Sequence, residues 1–172
     1  MTLTKMTLFY SIAIIAVLAC SAFAQEEVFT DPNVDYTFIL PEPEWIKTVK
    51  PSATSPNVEY VHNDRNDAHL EVRKLTVTKS FVLTEVIADE SEKLQFKPGY
   101  VAGKEENFTG HLRGSAFNFE FVSAGRNMVG RFYFLKANDT TVYVLRFTGR
   151  KEKLTLLRNQ TDSVARTFDI KR

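Results

Sequence analysis

The chain predicts an α+β fold, a mainly antiparallel sheet covered by two amphipathic helices, on three observations. Apolar and aromatic residues alternate with polar ones along eight short segments, the period of a β-strand. Only two stretches, near residues 83–97 and 151–168, change to the three-to-four spacing of a helix. The strand segments also follow one another through short turns rather than alternating singly with helices, which excludes a doubly wound parallel sheet.

The elements run in this order. Residues 25–35 form an acidic, mobile lead-in. Tyr36–Leu40 is a strand closed by Pro41, and Trp45–Lys50 is the next, with Pro41-Glu42-Pro43-Glu44 turning between them so that the two make a hairpin-like pair. A loop of Pro, Ser and Thr at 51–57 precedes the strand Val58–His62. The Asn- and Asp-rich turn 63–67 leads to another strand, 70–77. Ser80 is placed to cap a helix carrying Leu83, Val86, Ile87, Glu90 and Leu94, with Lys93 and Lys97 at its negative end and Pro98-Gly99 to stop it. Four strands follow at 104–109, 111–123, 128–136 and 141–148, with Phe117, Phe119 and Phe121 on one face of the second. Their apolar residues fall on both faces, so both faces are at least partly covered. Gly149 breaks the last strand, and one helix then carries Leu154, Leu157, Thr161, Val164, Ala165 and Phe168 as its apolar stripe.

Ahead of this domain, residues 1–24 read as a signal peptide: an apolar run from Leu8 to Ala19, then Ala22-Phe23-Ala24 before the acidic start at Gln25. Small residues at Ala22 and Ala24 place the cut before Gln25. Cys20 offers another route, because Val17-Leu18-Ala19-Cys20 loosely resembles a lipobox that ends in a lipidated cysteine, and the chain is then a lipid-anchored envelope protein. The mature chain is otherwise free of cysteine and of any transmembrane span, so it holds together by burial alone. Removing Lys5 with the leader leaves 21 basic side chains against 21 acidic ones. That balance argues against a nucleic-acid partner, which selects a basic excess.

Chemistry-bearing motifs are sparse. A thiol nucleophile is excluded by composition, no Gly-x-Ser-x-Gly elbow or phosphate loop occurs, and no cofactor is expected. Glu90 and Glu120 are the carboxylates nearest to apolar neighbours. The one metal-like constellation is His62, Asp64, Asp67 and His69 around the tight turn. A hairpin there sets the two histidines roughly opposite, within reach of one zinc or copper ion. The plainer reading is that the turn itself selects Asn and Asp. Sequons at Asn107, Asn138 and Asn159 accept glycans only in a eukaryotic secretory route, whereas the compact leader and missing disulfides point to a bacterial protein. Trp45, beside two prolines, closes one end of the core.

The opening Tyr36-Thr-Phe-Ile-Leu-Pro-Glu-Pro-Glu-Trp45, the central helix closed by Pro98-Gly99, the Phe-rich meander and the C-terminal helix together resemble the PsbP-like superfamily. That group is named after the accessory protein of the photosystem II oxygen-evolving complex and includes exported bacterial relatives. The resemblance spans residues 34–170 of the single domain 36–172. It implies an α/β/α sandwich and an exported, non-catalytic binding or assembly module of the cell envelope, periplasmic or secreted. The implied partner is an unknown envelope protein, met by an exposed sheet face or by the loops 51–57 and 63–68. A small metal-binding exported protein built on the His62–His69 turn is the other reading.

Overall fold

In the computed structural model, which describes residues 26–171, a seven-stranded antiparallel sheet forms the middle layer. Its strands are β3 (Trp45–Val49), β4 (Val58–His62), β5 (Ala68–Thr76), β6 (Val101–Thr109), β7 (Arg113–Ser123), β8 (Arg126–Asn138) and β9 (Thr141–Arg150), in the spatial order β3-β4-β5-β9-β8-β7-β6. The central strand β9 reads as an almost unbroken apolar run because both of its faces are buried. Alternation splits it cleanly. Tyr143, Leu145 and Phe147 enter one core, and Val142 and Val144 the other.

On the second face lies helix α1 (Leu83–Leu94), which sets Ile87 and Leu94 against Phe117, Phe119, Phe121, Phe132 and Phe134. On the first face a three-stranded sheet of β1 (Glu27–Phe29), β2 (Tyr36–Leu40) and β10 (Asp169–Ile170) packs together with helices α2 (Lys151–Leu154) and α3 (Arg158–Thr167). There Phe29, Tyr36, Phe38, Tyr143 and Phe168 stack at centroid distances of 4.7–6.4 Å, the offset and edge-on geometries that aromatic quadrupoles prefer. The α+β class and the sandwich are as the sequence predicts.

Several local expectations are corrected. β2 and β3 make no hairpin: β2 is hydrogen-bonded by β1 on one side and β10 on the other, and β3 pairs with β4. Two prolines in four residues fix backbone angles and remove donors, so the 41–44 turn carries the chain from one sheet to the other. The lead-in is folded, since Phe29 and Val34 are buried and Glu27–Phe29 pairs with Phe38–Leu40. Ser80 caps nothing; α1 starts after Val82 without a side-chain cap. Strand β6 begins at Val101, three residues earlier than its alternation suggests, with a register shift between Ala102 and Glu105.

Strand β9 runs through Gly149 instead of ending there. A Cβ at Gly149 would stand 2.3 Å from the Asp67 carbonyl oxygen, so the glycine admits a close backbone crossing rather than a break. The neighbouring Arg150 amide donates to the Asn66 carbonyl at 2.7 Å. The C-terminal helix is two helices. Thr155 turns its hydroxyl back onto the Lys151 carbonyl at 2.6 Å, a bond that bends helices, and Leu156 is left 80% exposed at the joint.

Candidate functional site

A cleft of about 220 Å³ opens on the first face, between strands β6–β8 and the α2–α3 joint. Strand alternation puts Asn118 and Glu120 of β7 and Val129 and Arg131 of β8 on one side. Helix α2 starts where β9 ends, so Lys151 and Leu154 form the opposite wall, continued by Arg158 and Thr161 of α3.

At its base is a closed polar network. Arg131, 9% exposed, donates from Nε to the Tyr133 hydroxyl at 2.7 Å and to Asp162 Oδ1 at 3.1 Å. Its Nη1 donates to Asn118 Oδ1 at 2.7 Å and Glu106 Oε2 at 3.3 Å. The Tyr133 hydroxyl donates to Asp162 and lies 3.1 Å from Thr161 Oγ1. Burial works against the Arg131 charge, but Tyr133, Asp162 and Glu106 outweigh it and hold the guanidinium above its ordinary range. Burial, joined by the bond to Asp162, pushes the Tyr133 hydroxyl above the usual tyrosine range. Neither group exchanges its proton near neutral pH, so the base of the cleft is a fixed arrangement of charge and donors. At the rim, Lys151 pairs with Glu120 at 2.7 and 2.8 Å, and Arg158 approaches Glu106 at 3.5 Å. Such a cleft can recognise polar or extended backbone groups.

The residues singled out from the sequence go elsewhere. Val61 pairs with His69, so His62 stands across from Ala68 and the two histidines point to opposite faces of the sheet. The expectation that a hairpin sets them opposite is therefore wrong by one register step. His69 Nε2 meets Glu59 Oε2 at 2.8 Å on the second face. Asp67 is taken by Arg150. Exposed Asp64 accepts from the backbone and side-chain nitrogens of Asn66 at 2.7 and 3.1 Å, the ordinary closure of an Asx turn. His62 alone packs toward the core, its ring 5.3 Å from that of Trp45.

Glu90 is buried between Arg146 and Lys93, and Glu120 is exposed. Trp45 closes one end of the core, donating from Nε1 to Gln160 at 3.0 Å. Asn107, Asn138 and Asn159 are all exposed. Cys20, Ala22, Ala24 and Gln25 lie outside the described residues.

No family profile and no curated protein matches the chain. Solved structures do. The cyanobacterial PsbP (CyanoP) of Synechocystis sp. PCC 6803 superposes with a TM-score of 0.59 at 15% identity, covering 88% of this chain and 97% of that one. The fold is PsbP-like. The Ran-binding protein Mog1p of Saccharomyces cerevisiae matches this fold with a TM-score of 0.59 at 13% identity, over 86% of this chain and 96% of its own. LpqN of Mycobacterium tuberculosis, involved in cell envelope biogenesis, matches with a TM-score of 0.56 at 17% identity, over 86% and 91%.

Within this PsbP-like frame, the sequence reading missed the Arg131–Tyr133–Asp162 network. A signal was present. Arg131 shares its alternation row with Tyr133 and Leu135, a charge standing in a core-facing position. Its carboxylate partner lies 31 residues away on α3, which no local pattern reveals.

Proposed function

We propose that the chain is an exported, non-catalytic binding module of the cell envelope, which receives a segment of an envelope protein partner in the cleft beside Arg131. The observation that carries this reading is the closed network at the base of the cleft. Its charged groups are spent on each other, which gives a rigid, polar recognition surface and, among the described residues, leaves no free acid, base or nucleophile aimed into it. The leader read in residues 1–24 supports export, and among the described residues no helix is long and apolar enough to cross a membrane. LpqN, which has the same fold, is involved in cell envelope biogenesis, and Mog1p is a Ran-binding protein.

A photo-crosslinker placed at exposed Thr155, in the cleft wall, tests the proposal against one at Phe96 on the far side of the molecule. Thr155 is expected to yield a discrete adduct with an envelope protein, lost when Lys151→Glu and Arg158→Glu are combined. No adduct, or the same adducts from both positions, removes the cleft as the working surface. Mass spectrometry of the mature N-terminus decides the processing route: a start at Gln25 supports soluble export, and a lipidated Cys20 replaces it with an anchored form.

A further inference from the structure

His62 ends β4 at the register pair Trp45↔His62, and alternation turns it into the core, where it is 9% exposed. Its Nδ1 lies 3.1 Å from the Asn63 side-chain amide. Its Nε2 is sealed from solvent and has no hydrogen-bond partner among the described residues. The atom facing it is Glu42 Oε2 at 3.8 Å, too far for a hydrogen bond. Glu44 stands beside them, its carbonyl receiving the Asn63 amide at 3.4 Å. One ligand atom each from Glu42, Glu44 and His62 falls within 4.8 Å of the others.

The 41–44 turn explains how two glutamates arrive there. Pro41 and Pro43 fix the backbone on either side of Glu42, and β3 pairing with β4 then brings the end of the turn against His62. We propose that Glu42, Glu44 and His62 bind one divalent transition-metal ion of the zinc class, with water completing the coordination.

The donor chemistry selects the ion. One imidazole nitrogen with two carboxylates suits zinc, cobalt and nickel, whereas calcium and magnesium take oxygen ligands alone. Two carboxylates balance a double positive charge at a half-buried position. Tetrahedral zinc, with arms of about 2.0–2.2 Å, holds its ligand atoms about 3.3 Å apart. Closing the present spread takes side-chain rotation only, since Glu44 is exposed and Glu42 partly so. Asn63 supplies the supporting contact once its amide turns over: the structure sets Nδ2 against Nδ1 at 3.1 Å, and a half-turn of the amide brings its oxygen to Nδ1–H, which fixes the tautomer that leaves the Nε2 lone pair for the ion. A plain Glu42–His62 ion pair accounts for this less well, because at 3.8 Å it leaves a buried nitrogen without a bond.

The proposal is independent of the binding cleft, whose residues it does not share. Trp45, the one tryptophan of the chain, lies 5.3 Å from the His62 ring and serves as the probe. The purified, untagged chain, stripped of metal, is titrated with zinc by calorimetry and with cobalt by visible absorption and Trp45 emission. One zinc per chain, tetrahedral cobalt bands and quenching of Trp45 by cobalt are expected. Glu44→Gln and Glu42→Gln each weaken zinc by about tenfold or more, His62→Phe abolishes binding while keeping a ring against Trp45, and His69→Ala leaves it unchanged. Circular dichroism confirms that each variant is folded, and exposed Glu44→Gln provides a reading even where His62 variants do not fold. Absence of stoichiometric zinc, or zinc held as tightly by folded His62→Phe or Glu44→Gln as by the parent, overturns the proposal.

Discussion

Arg131 and His62 are equally exposed, at 9%, and face the same side of the large sheet, yet they solve burial in opposite ways. Arg131 reaches four protein partners, drawn from β6, β7, β8 and α3. His62 uses one nitrogen on its neighbour Asn63 and leaves the other bare. A buried polar group left unsatisfied costs about 1–3 kcal/mol. A closed network returns that cost as structure, here by tying α3 to the sheet. An open valence returns nothing unless something from outside fills it. The first arrangement is a clamp, and the second is a place for a ligand.

Opening the clamp is the largest expected effect. Asp162→Ala leaves the Arg131 guanidinium buried without its helix partner, and breaking such a pair from one side costs about 3 kcal/mol. Tyr133→Phe, which keeps the ring and deletes only the bonded hydroxyl, costs about 1–2 kcal/mol. Urea unfolding reads both. A loss below 1 kcal/mol for Asp162→Ala refutes the clamp.

The second face carries a closed pair of its own, and its signature is in acid. Burial alone would raise the Glu59 carboxyl, but the bond and charge of His69, helped by Arg65, more than offset it and hold the group below its ordinary range. Asp35 is depressed in the same way, burial being outweighed by Lys74 and Tyr143. A carboxylate depressed on folding adds stability that is present above its unfolded pKa, about 4, and disappears as pH falls through the folded value. Stability is therefore expected to fall below about pH 4, and Glu59→Gln to flatten that fall while costing less at neutral pH than Asp162→Ala. Parallel acid profiles for parent and variant contradict the assignment.

These contrasts mark how far the sequence could be read. Alternation along 113–150 is strong because both faces of those strands are buried, so layers and helix faces were legible from the apolar pattern. Pairing was less so. The 36–40 strand looks like any edge strand, and only the distant Asp169–Ile170 segment shows why it joins another sheet. Gly149 looked like a terminator because a close backbone crossing and a strand end ask for the same residue. His62 was legible as a candidate ligand, but its companions were sought downstream in the turn. Register parity turns His69 away and brings Glu42 and Glu44 in from the preceding loop. One residue of register decides between those constellations, and single-residue register is what a turn rich in Asn and Asp leaves least determined.

The smallest effect tests whether the open valence is real. Tyr60 resembles Tyr133 as a ring buried on the same face, but its hydroxyl, like His62 Nε2, has no partner among the described residues. By contrast, Tyr36 gives its hydroxyl to the Pro56 carbonyl at 2.7 Å and Tyr143 gives its own to Asp35. Burial raises the Tyr60 hydroxyl above its usual range, so it stays neutral, and as a neutral orphan it contributes no bond. Tyr60→Phe removes an unsatisfied buried hydroxyl and is then expected to raise stability by up to about 1 kcal/mol, where Tyr133→Phe loses about 1–2 kcal/mol. Equal losses from the two substitutions mean that Tyr60 has a partner such as a bound water, and the bare nitrogen of His62, identified by the same criterion, then has an equal claim to one.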